Sequence, residues 1–438
     1  MRLVVLTDIS SLQTGIGEPD DTESLVRLLL YANHFQIEGL IATYTEHVSG
    51  RVCTDYIREI VHQYGKVWDN LCKHSPDYPA PAQLLDCIKA GSVYAGMDRI
   101  GEGMDTEGSD WIIQVVDKPD SRPVWFTVWG GVTDLAQALW KVKHERTPEE
   151  FSSFCKKIRV HAIADQYDEA GPWIRENCPE VFYITSYKAF RGMYRGGDEG
   201  LVTKEWLEKN ICKGHGQLGA AYPIYDGGDI WGEVKGIKEG DTPSFLYLIP
   251  NGLGNPEHPE WGSWGGRFVG SDGRYFDAED RTQDNAEGMA EECTGSPIAT
   301  VSRWRDAYQR SFQARMDWCV QSYEEANHEP VAVVDGQMQR IVRPGETITL
   351  SAKNSYDPDG DELSFRWWVY EEASTYRTKE LGAGGKGTIE LQNADTPDVT
   401  IAIPADVESG CTHVILEVTD RGEPALTGYA RVLLEIQK

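Results

Sequence analysis

The hydrophobic pattern of this chain changes period near residue 327, and that change limits what the chain can fold into. Before it, apolar runs of strand type alternate with runs of helical spacing. Arg2 to Thr7, Ile37 to Thr43, Val124 to Trp129, Ile158 to Ala164 and Val181 to Thr185 read as strands. Thr22 to Asn33, Thr54 to Gln63, Asp134 to Lys143 and Pro172 to Asn177 read as helices; Tyr56, Ile57, Ile60 and Val61 share one helical face. Strands alternating with helices predict an α/β fold, an open and mostly parallel sheet flanked by helices. After the linker Asn327-His328-Glu329-Pro330 come only short runs: Val331 to Val334, Thr347 to Ala352, Leu363 to Tyr370, Val399 to Ile403, His413 to Val418 and Tyr429 to Ile436. Turn clusters such as Asp357-Pro358-Asp359-Gly360-Asp361 and Asp420-Arg421-Gly422 separate them, which predicts a β-sandwich. The expected domains are 1–326 and 327–438.

Charge excludes some functions. Of 438 residues, 42 are Lys or Arg and 70 are Asp or Glu, a net charge of −28. Such a chain repels nucleic acid, so no nucleic-acid partner is expected. No apolar run approaches the roughly 18 residues of a membrane span, so no membrane partner is expected. Met1 leads at once into the first strand; without a signal peptide, a cytoplasmic protein or a trimmed secreted one is expected. The nine cysteines show no paired spacing and no zinc pattern, and read as small buried hydrophobes. Whether the chain forms a homo-oligomer is left open.

The chemistry concentrates at the end of the first strand. That strand runs into Thr7-Asp8, and after a loop comes Glu18-Pro19-Asp20-Asp21 at a helix start. Open α/β sheets bind ligands beyond the carboxyl ends of their strands. A single Asp there is most simply a helix cap. Asp8, Asp20 and Asp21 with Glu18 repel one another and call for a compensating cation, and carboxylate oxygens suit Ca²⁺ or Mg²⁺. Two further segments fit the same place: Trp125 to Ala136, a strand with a Gly130-Gly131 turn, and Glu239 to Leu248, where Asp241 precedes an apolar run. Residues 251–285 are Gly- and Trp-rich and irregular, a composition typical of functional loops.

With these segments in view, the chain resembles the inosine-uridine nucleoside hydrolase superfamily. More closely, it resembles the cellulose-binding protein family with a nucleoside-hydrolase-like main domain, and the resemblance extends to the Ser355-Tyr356-Asp357-Pro358-Asp359-Gly360-Asp361 pattern. It implies a nucleoside-hydrolase-like sheet followed by an immunoglobulin-like sandwich. It also implies Ca²⁺ held by Asp8, Asp21, the Trp129 carbonyl and Asp241, with Asp8 as general base and Asp20 holding sugar hydroxyls. Asp165, Gln166 and Asp168 would form a sugar-contacting loop, and Thr45, Glu46 and His47 would line the pocket.

Two departures qualify the likeness. Eleven residues separate Asp8 from Asp20, a longer loop than in nucleoside hydrolases. Gly240 stands where many of those enzymes carry a His that protonates the leaving base; His258, Trp261 and Trp264 are candidate substitutes or stacking groups, each with ordinary packing as the simpler reading. The leading expectation is therefore a Ca²⁺-dependent hydrolase of a glycosidic bond in a furanoside, a nucleoside or a plant-polysaccharide oligosaccharide. The alternative is a non-catalytic carbohydrate-binding protein on the same scaffold.

Overall fold

The computed structural model describes residues 1–13, 19–167, 169–229, 232–281, 295–376 and 389–437. It divides into two compact units. The first comprises Met1–Ile249, Trp264–Asp306 and Arg315–Tyr323; the second comprises Pro250–Ser263, Ala307–Ala314 and Glu324–Lys438.

The first unit is built on an 8-stranded sheet. Its elements begin β1 (Arg2–Thr7), α1 (Asp20–Leu30), β2 (Gln36–Ala42), α2 (Thr54–Gly65), α3 (Trp68–His74), α4 (Pro81–Asp86), β3 (Ile88–Ala90), α5 (Glu107–Asp117) and β4 (Val124–Val128). They continue with α6 (Thr133–Glu145), α7 (Pro148–Cys155), β5 (Ile158–Ile163), α8 (Ala170–Asn177) and β6 (Phe182–Ser186). A small hairpin of β7 (Gly227–Asp229) and β8 (Gly232–Val234) stands apart, and β9 (Phe268–Ser271) and β10 (Arg274–Asp277) return to the sheet. The strand order is β3-β2-β1-β4-β5-β6-β10-β9, parallel except for β9 against β10.

β1 and β4 are buried along their whole length, as a strand covered on both faces must be. From β1 the chain first winds toward β3, then crosses to β4 and winds the other way. The order therefore reverses between β1 and β4, and a crevice opens at their carboxyl ends. Val4, Leu6, Phe126, Val128, Leu135, Leu139 and Val160 form the core on one face. No helix among the described residues is long and apolar enough to cross a membrane.

The second unit contains sheets β11-β17-β16-β13 and β12-β15-β14. The strands are β11 (Gln339–Val342), β12 (Thr347–Ser351), β13 (Ser364–Val369), β14 (Glu390–Gln392), β15 (Asp398–Ala402), β16 (Gly410–Thr419) and β17 (Thr427–Ile436). Leu350, Trp367, Val399, Ile401, Leu416 and Val432 fill the core. Trp367 is buried and Trp368 is not, as alternation along a strand requires. The expected strand at Val331 to Val334 is reduced to one bridge, Val331 to Tyr356, and the ladder begins at Gln339 instead. Pro330 and the Asp335-Gly336 turn leave that apolar run too short to pair further.

Candidate cation and sugar site

Asp8 leaves β1 directly at the strand-order reversal. Gly130, just past β4, is required there: a Cβ on it would lie 2.6 Å from Asp8 Cγ. α1 starts on Pro19 with no side chain capping it, so Asp20 and Asp21 are not caps but first-turn carboxylates at the positive end of the helix. Asp21 accepts the Thr7 hydroxyl. Asp241 comes from the segment before the one-turn helix Pro243–Leu246, where Ser244 Oγ donates to its carbonyl at 2.6 Å.

Carboxylate oxygens of Asp20, Asp21 and Asp241 all lie within 4.8 Å of one another. Asp21 and Asp241 are buried, and Asp241 Oδ2 has no hydrogen-bond partner among the described residues. Burial, reinforced by repulsion from the neighbouring carboxylates, pushes all three well above the usual carboxylate range. Without a counter-charge these groups bind protons in place of a cation, so the donor set fits a hard divalent ion.

Asp8 adjoins the cluster. Burial raises its affinity for protons, and the phenol of Tyr167, donating to Oδ2 at 2.5 Å, opposes that rise. The Trp129 carbonyl accepts the side-chain amide of Gln166, and the Trp129 indole donates to Ser244 Oγ at 3.0 Å. The site thus joins Asp20, Asp21 and Asp241 most closely, with Asp8 and Trp129 beside them and held by Tyr167 and Gln166.

A pocket of about 190 Å³ opens on this cluster, lined by Asp20, Gln166, Phe190, Arg191, Lys238 and Asp241 among others. Phe190, Arg191 and Lys238 are absent from the sequence-based expectation. The mixed aromatic and basic run after β6 was the available signal, since it leaves the same edge of the sheet as Asp8. Phe190 also explains Gly240: its ring carbons lie 3.3 and 3.6 Å from where a Cβ on Gly240 would stand. An aromatic ring thus fills the space beside Gly240.

The other expected residues divide. Glu46 and His47 are exposed, His47 close enough for its charge to act on Asp8 and Glu46 on Tyr167, while Thr45 is buried and accepts the His47 amide at 3.2 Å. Asp165 is not free for sugar. Arg175 grips it at 2.8 and 2.7 Å and Tyr187 donates to it at 2.5 Å; against the effect of burial, these bonds hold its carboxyl below the usual range. Trp264 is packed away, 2% exposed. His258 and Trp261 belong to the second unit, stacked on each other at 4.5 Å, with Arg431 over the Trp261 ring at 5.6 Å. Glu18 and Asp168 lie outside the described residues.

Comparison with known proteins fits this geometry. Residues 2–268 match the family model described as cellulose-binding Sde182, nucleoside hydrolase-like domain. The chain belongs to the cellulose-binding Sde182 family. Residues 347–436 match the model of the Sde0182 C-terminal domain. The chain is similar throughout to a solved structure from Saccharophagus degradans, described as a nucleoside hydrolase-related hypothetical protein associated with carbohydrate metabolism. The identity is 34%, the TM-score 0.81, and the match covers 100% of this chain and 99% of that one. A curated relative, microbial collagenase of Vibrio alginolyticus, is 30% identical over 105 residues; the match covers 23% of this chain and only 12% of that protein. This chain thus combines a nucleoside-hydrolase-like domain with a C-terminal domain of two sheets, antiparallel except where β11 pairs with β17.

Proposed function

We propose that the first unit hydrolyses a glycosidic bond of a carbohydrate with the help of a bound divalent cation, Ca²⁺ by preference. The observation that carries this is the close trio of Asp20, Asp21 and Asp241, the last two buried, with an unpartnered oxygen on Asp241. A cation held there supplies acidification of a nearby water. Asp8 accepts that water's proton on its carboxylate, oriented by the Tyr167 hydrogen bond. As the bond to the leaving oxygen breaks, the surrounding carboxylates favour the positive charge that develops at the anomeric carbon. Water adds across the bond: its oxygen goes to the sugar, and a proton goes to the leaving group. Asp20, partly exposed on the pocket wall, faces the sugar hydroxyls. Phe190 beside Gly240 and the family's cellulose-binding description favour a carbohydrate over a nucleoside.

The test is calorimetry of Ca²⁺ binding to wild type, Asp21→Ala and Asp241→Ala, followed by a screen of glycosides for released reducing sugar. Binding lost in both variants, with Ca²⁺-dependent release by the wild type, supports the reading. No Ca²⁺ binding, or binding without release from any glycoside, overturns it.

One observation favours a second reading, a carbohydrate binder without catalysis. Gln166 occupies the Trp129 carbonyl and Tyr167 occupies one oxygen of Asp8, so both groups are satisfied within the protein. A pull-down on insoluble polysaccharide that succeeds in EGTA, with no soluble sugar produced, selects this alternative.

A further inference from the structure

Beyond the pocket, one exposed surface of the first unit has an unusual build. Val269, Phe276 and Tyr187 are 45%, 40% and 42% exposed. They adjoin one another: Phe276 is registered with Val269 on β9, and Tyr187, just past the end of β6, meets the Phe276 ring. The Tyr187 and Phe276 rings are parallel within 5°, with centroids 6.3 Å apart.

Tyr187 is held rigid. The Tyr187 phenol donates to Asp165, whose ion pair with Arg175 is itself only 13% exposed on each side. The backbone N–H groups of Tyr187 and Lys188 both donate to Asp277 Oδ2, at 2.9 and 2.6 Å. Two carboxylates therefore pin Tyr187, one through its side chain and one through its backbone. An exposed ring fixed this way has lost its rotational freedom before any ligand arrives, which lowers the entropy cost of binding.

The patch also adjoins the pocket. Arg191, on the pocket wall with Asp20 and Asp241, donates to the Tyr187 carbonyl at 2.9 Å. The loop that carries Asp165 continues through Gln166 to Tyr167, which touches Asp8.

We propose that Tyr187 and Phe276 form a stacking platform for a linear β-linked glucan chain, which they lead toward the acidic pocket. Equatorially linked glucose rings present flat C–H faces along the chain, and two parallel aromatic rings match successive faces. Size argues against a protein partner. At about 40% exposure, side chains of 150–250 Å² each leave on the order of 200 Å² in all, far below the roughly 800 Å² per partner of a stable interface. The proposal rests on the carbohydrate reading above and gives a cellulose-type chain a surface site on this unit.

The experiment is titration of the full-length protein with a soluble β-glucan hexasaccharide, and with adenosine as a stacking control. The variants are Tyr187→Ala, Phe276→Ala, Tyr187→Phe and, as a control, Tyr94→Ala, a 49% exposed aromatic elsewhere in the unit. The expected result is a loss of about tenfold or more in glucan affinity for each platform alanine, a smaller loss for Tyr187→Phe, which keeps the ring but frees it from Asp165, and none for Tyr94→Ala. Calorimetry of Ca²⁺ should be unchanged in all variants, which shows that the fold and the acidic site are intact. If wild type binds glucan and both platform alanines bind it equally well, the platform is overturned while the carbohydrate reading stands. If wild type binds adenosine but no glucan, both fall.

Discussion

The phenol of Tyr167 donates to Asp8 Oδ2 at 2.5 Å, across 159 positions of sequence. The bond steadies the ionised form of a carboxylate that burial otherwise drives toward protonation. Burial and the charge of Asp8 in turn push the Tyr167 phenol up, so the phenol stays a donor throughout the working pH range. Tyr167→Phe should therefore raise the Asp8 pKa. A hydrogen bond to a charged group is worth about 1.5–3 kcal/mol, or roughly one to two pH units. In Ca²⁺ titrations at a series of pH values, the acidic midpoint of binding should move up by about that amount. A midpoint that stays in place or moves down would show that Tyr167 does not stabilise the Asp8 carboxylate.

Asp20, Asp21 and Asp241 are all raised by burial and then by one another. The sign follows directly. A carboxyl whose folded pKa exceeds its unfolded value, near 4, adds stability below pH 4 that is lost as pH climbs through the raised value. In EGTA the melting temperature should fall between pH 5 and pH 8. Saturating Ca²⁺ should reverse the trend, adding about 2.7 kcal/mol at a hundredfold excess over Kd. Ca²⁺ binding should also release protons, read as a heat that varies with the ionisation enthalpy of the buffer. Equal heats in all buffers, with a flat melting curve in EGTA, would mean that the trio is ionised without a cation.

Arg27 and Glu239 make a salt bridge of 2.5 Å with both side chains fully buried. Glu239 also accepts Tyr222 at 2.6 Å and Thr242 at 2.7 Å. The pair ties α1, which carries Asp20 and Asp21, to the segment that carries Asp241. Arg27→Met leaves a buried carboxylate without its charge partner and should cost about 3–5 kcal/mol in urea unfolding. Arg27→Met with Glu239→Gln should recover part of that loss, because Glu239 no longer carries a lone charge, while buried Glu23 loses the Arg27 charge that lowers its pKa and the Glu239 charge that raises it. Ca²⁺ affinity should remain weakened in the double variant if the pair also sets the spacing of the ligands; full recovery of affinity would make its role stability alone.

Particular residues show how far the sequence carried. Asp8, Asp20, Asp21 and Asp241 were legible because each sits at a strand end or a helix start, where topology directs ligands. Lys238, Phe190 and Arg191 were not, because Lys238 lies outside any helix or strand and the other two sit in a short 3-10 turn, Ala189–Met193, that carries no periodic apolar pattern. β9 and β10 were hidden for a related reason. Each has four residues, Gly270 interrupts β9 and Gly273 sits in the turn between them, so it is the pairing of β9 with β10, and of β10 with β6, that makes them strands. Asp165 illustrates the opposite fault. Its place after β5 suggested a sugar contact, whereas Arg175, in the second turn of α8, donates to both of its oxygens.

His161 offers a test independent of any ligand. It lies at the centre of the sheet on β5, paired with Thr127 on β4 and Ile184 on β6, and is fully buried. The rings of Tyr247 and Phe268 meet it edge-on at 5.3 and 4.9 Å, and neither ring nitrogen has a hydrogen-bond partner among the described residues. Burial alone lowers its pKa to about 3. The unfolded chain takes up a proton near pH 6.5 that the native state refuses until about pH 3. His161 therefore costs the fold about 1.4 kcal/mol for each pH unit through that window. His161→Phe removes the titration and fills the same apolar space. Its unfolding free energy should fall less steeply than that of the wild type between pH 6 and pH 4, the gap widening by about 1.4 kcal/mol per unit. Parallel curves would show that the native state admits the proton, through water or local opening around β5.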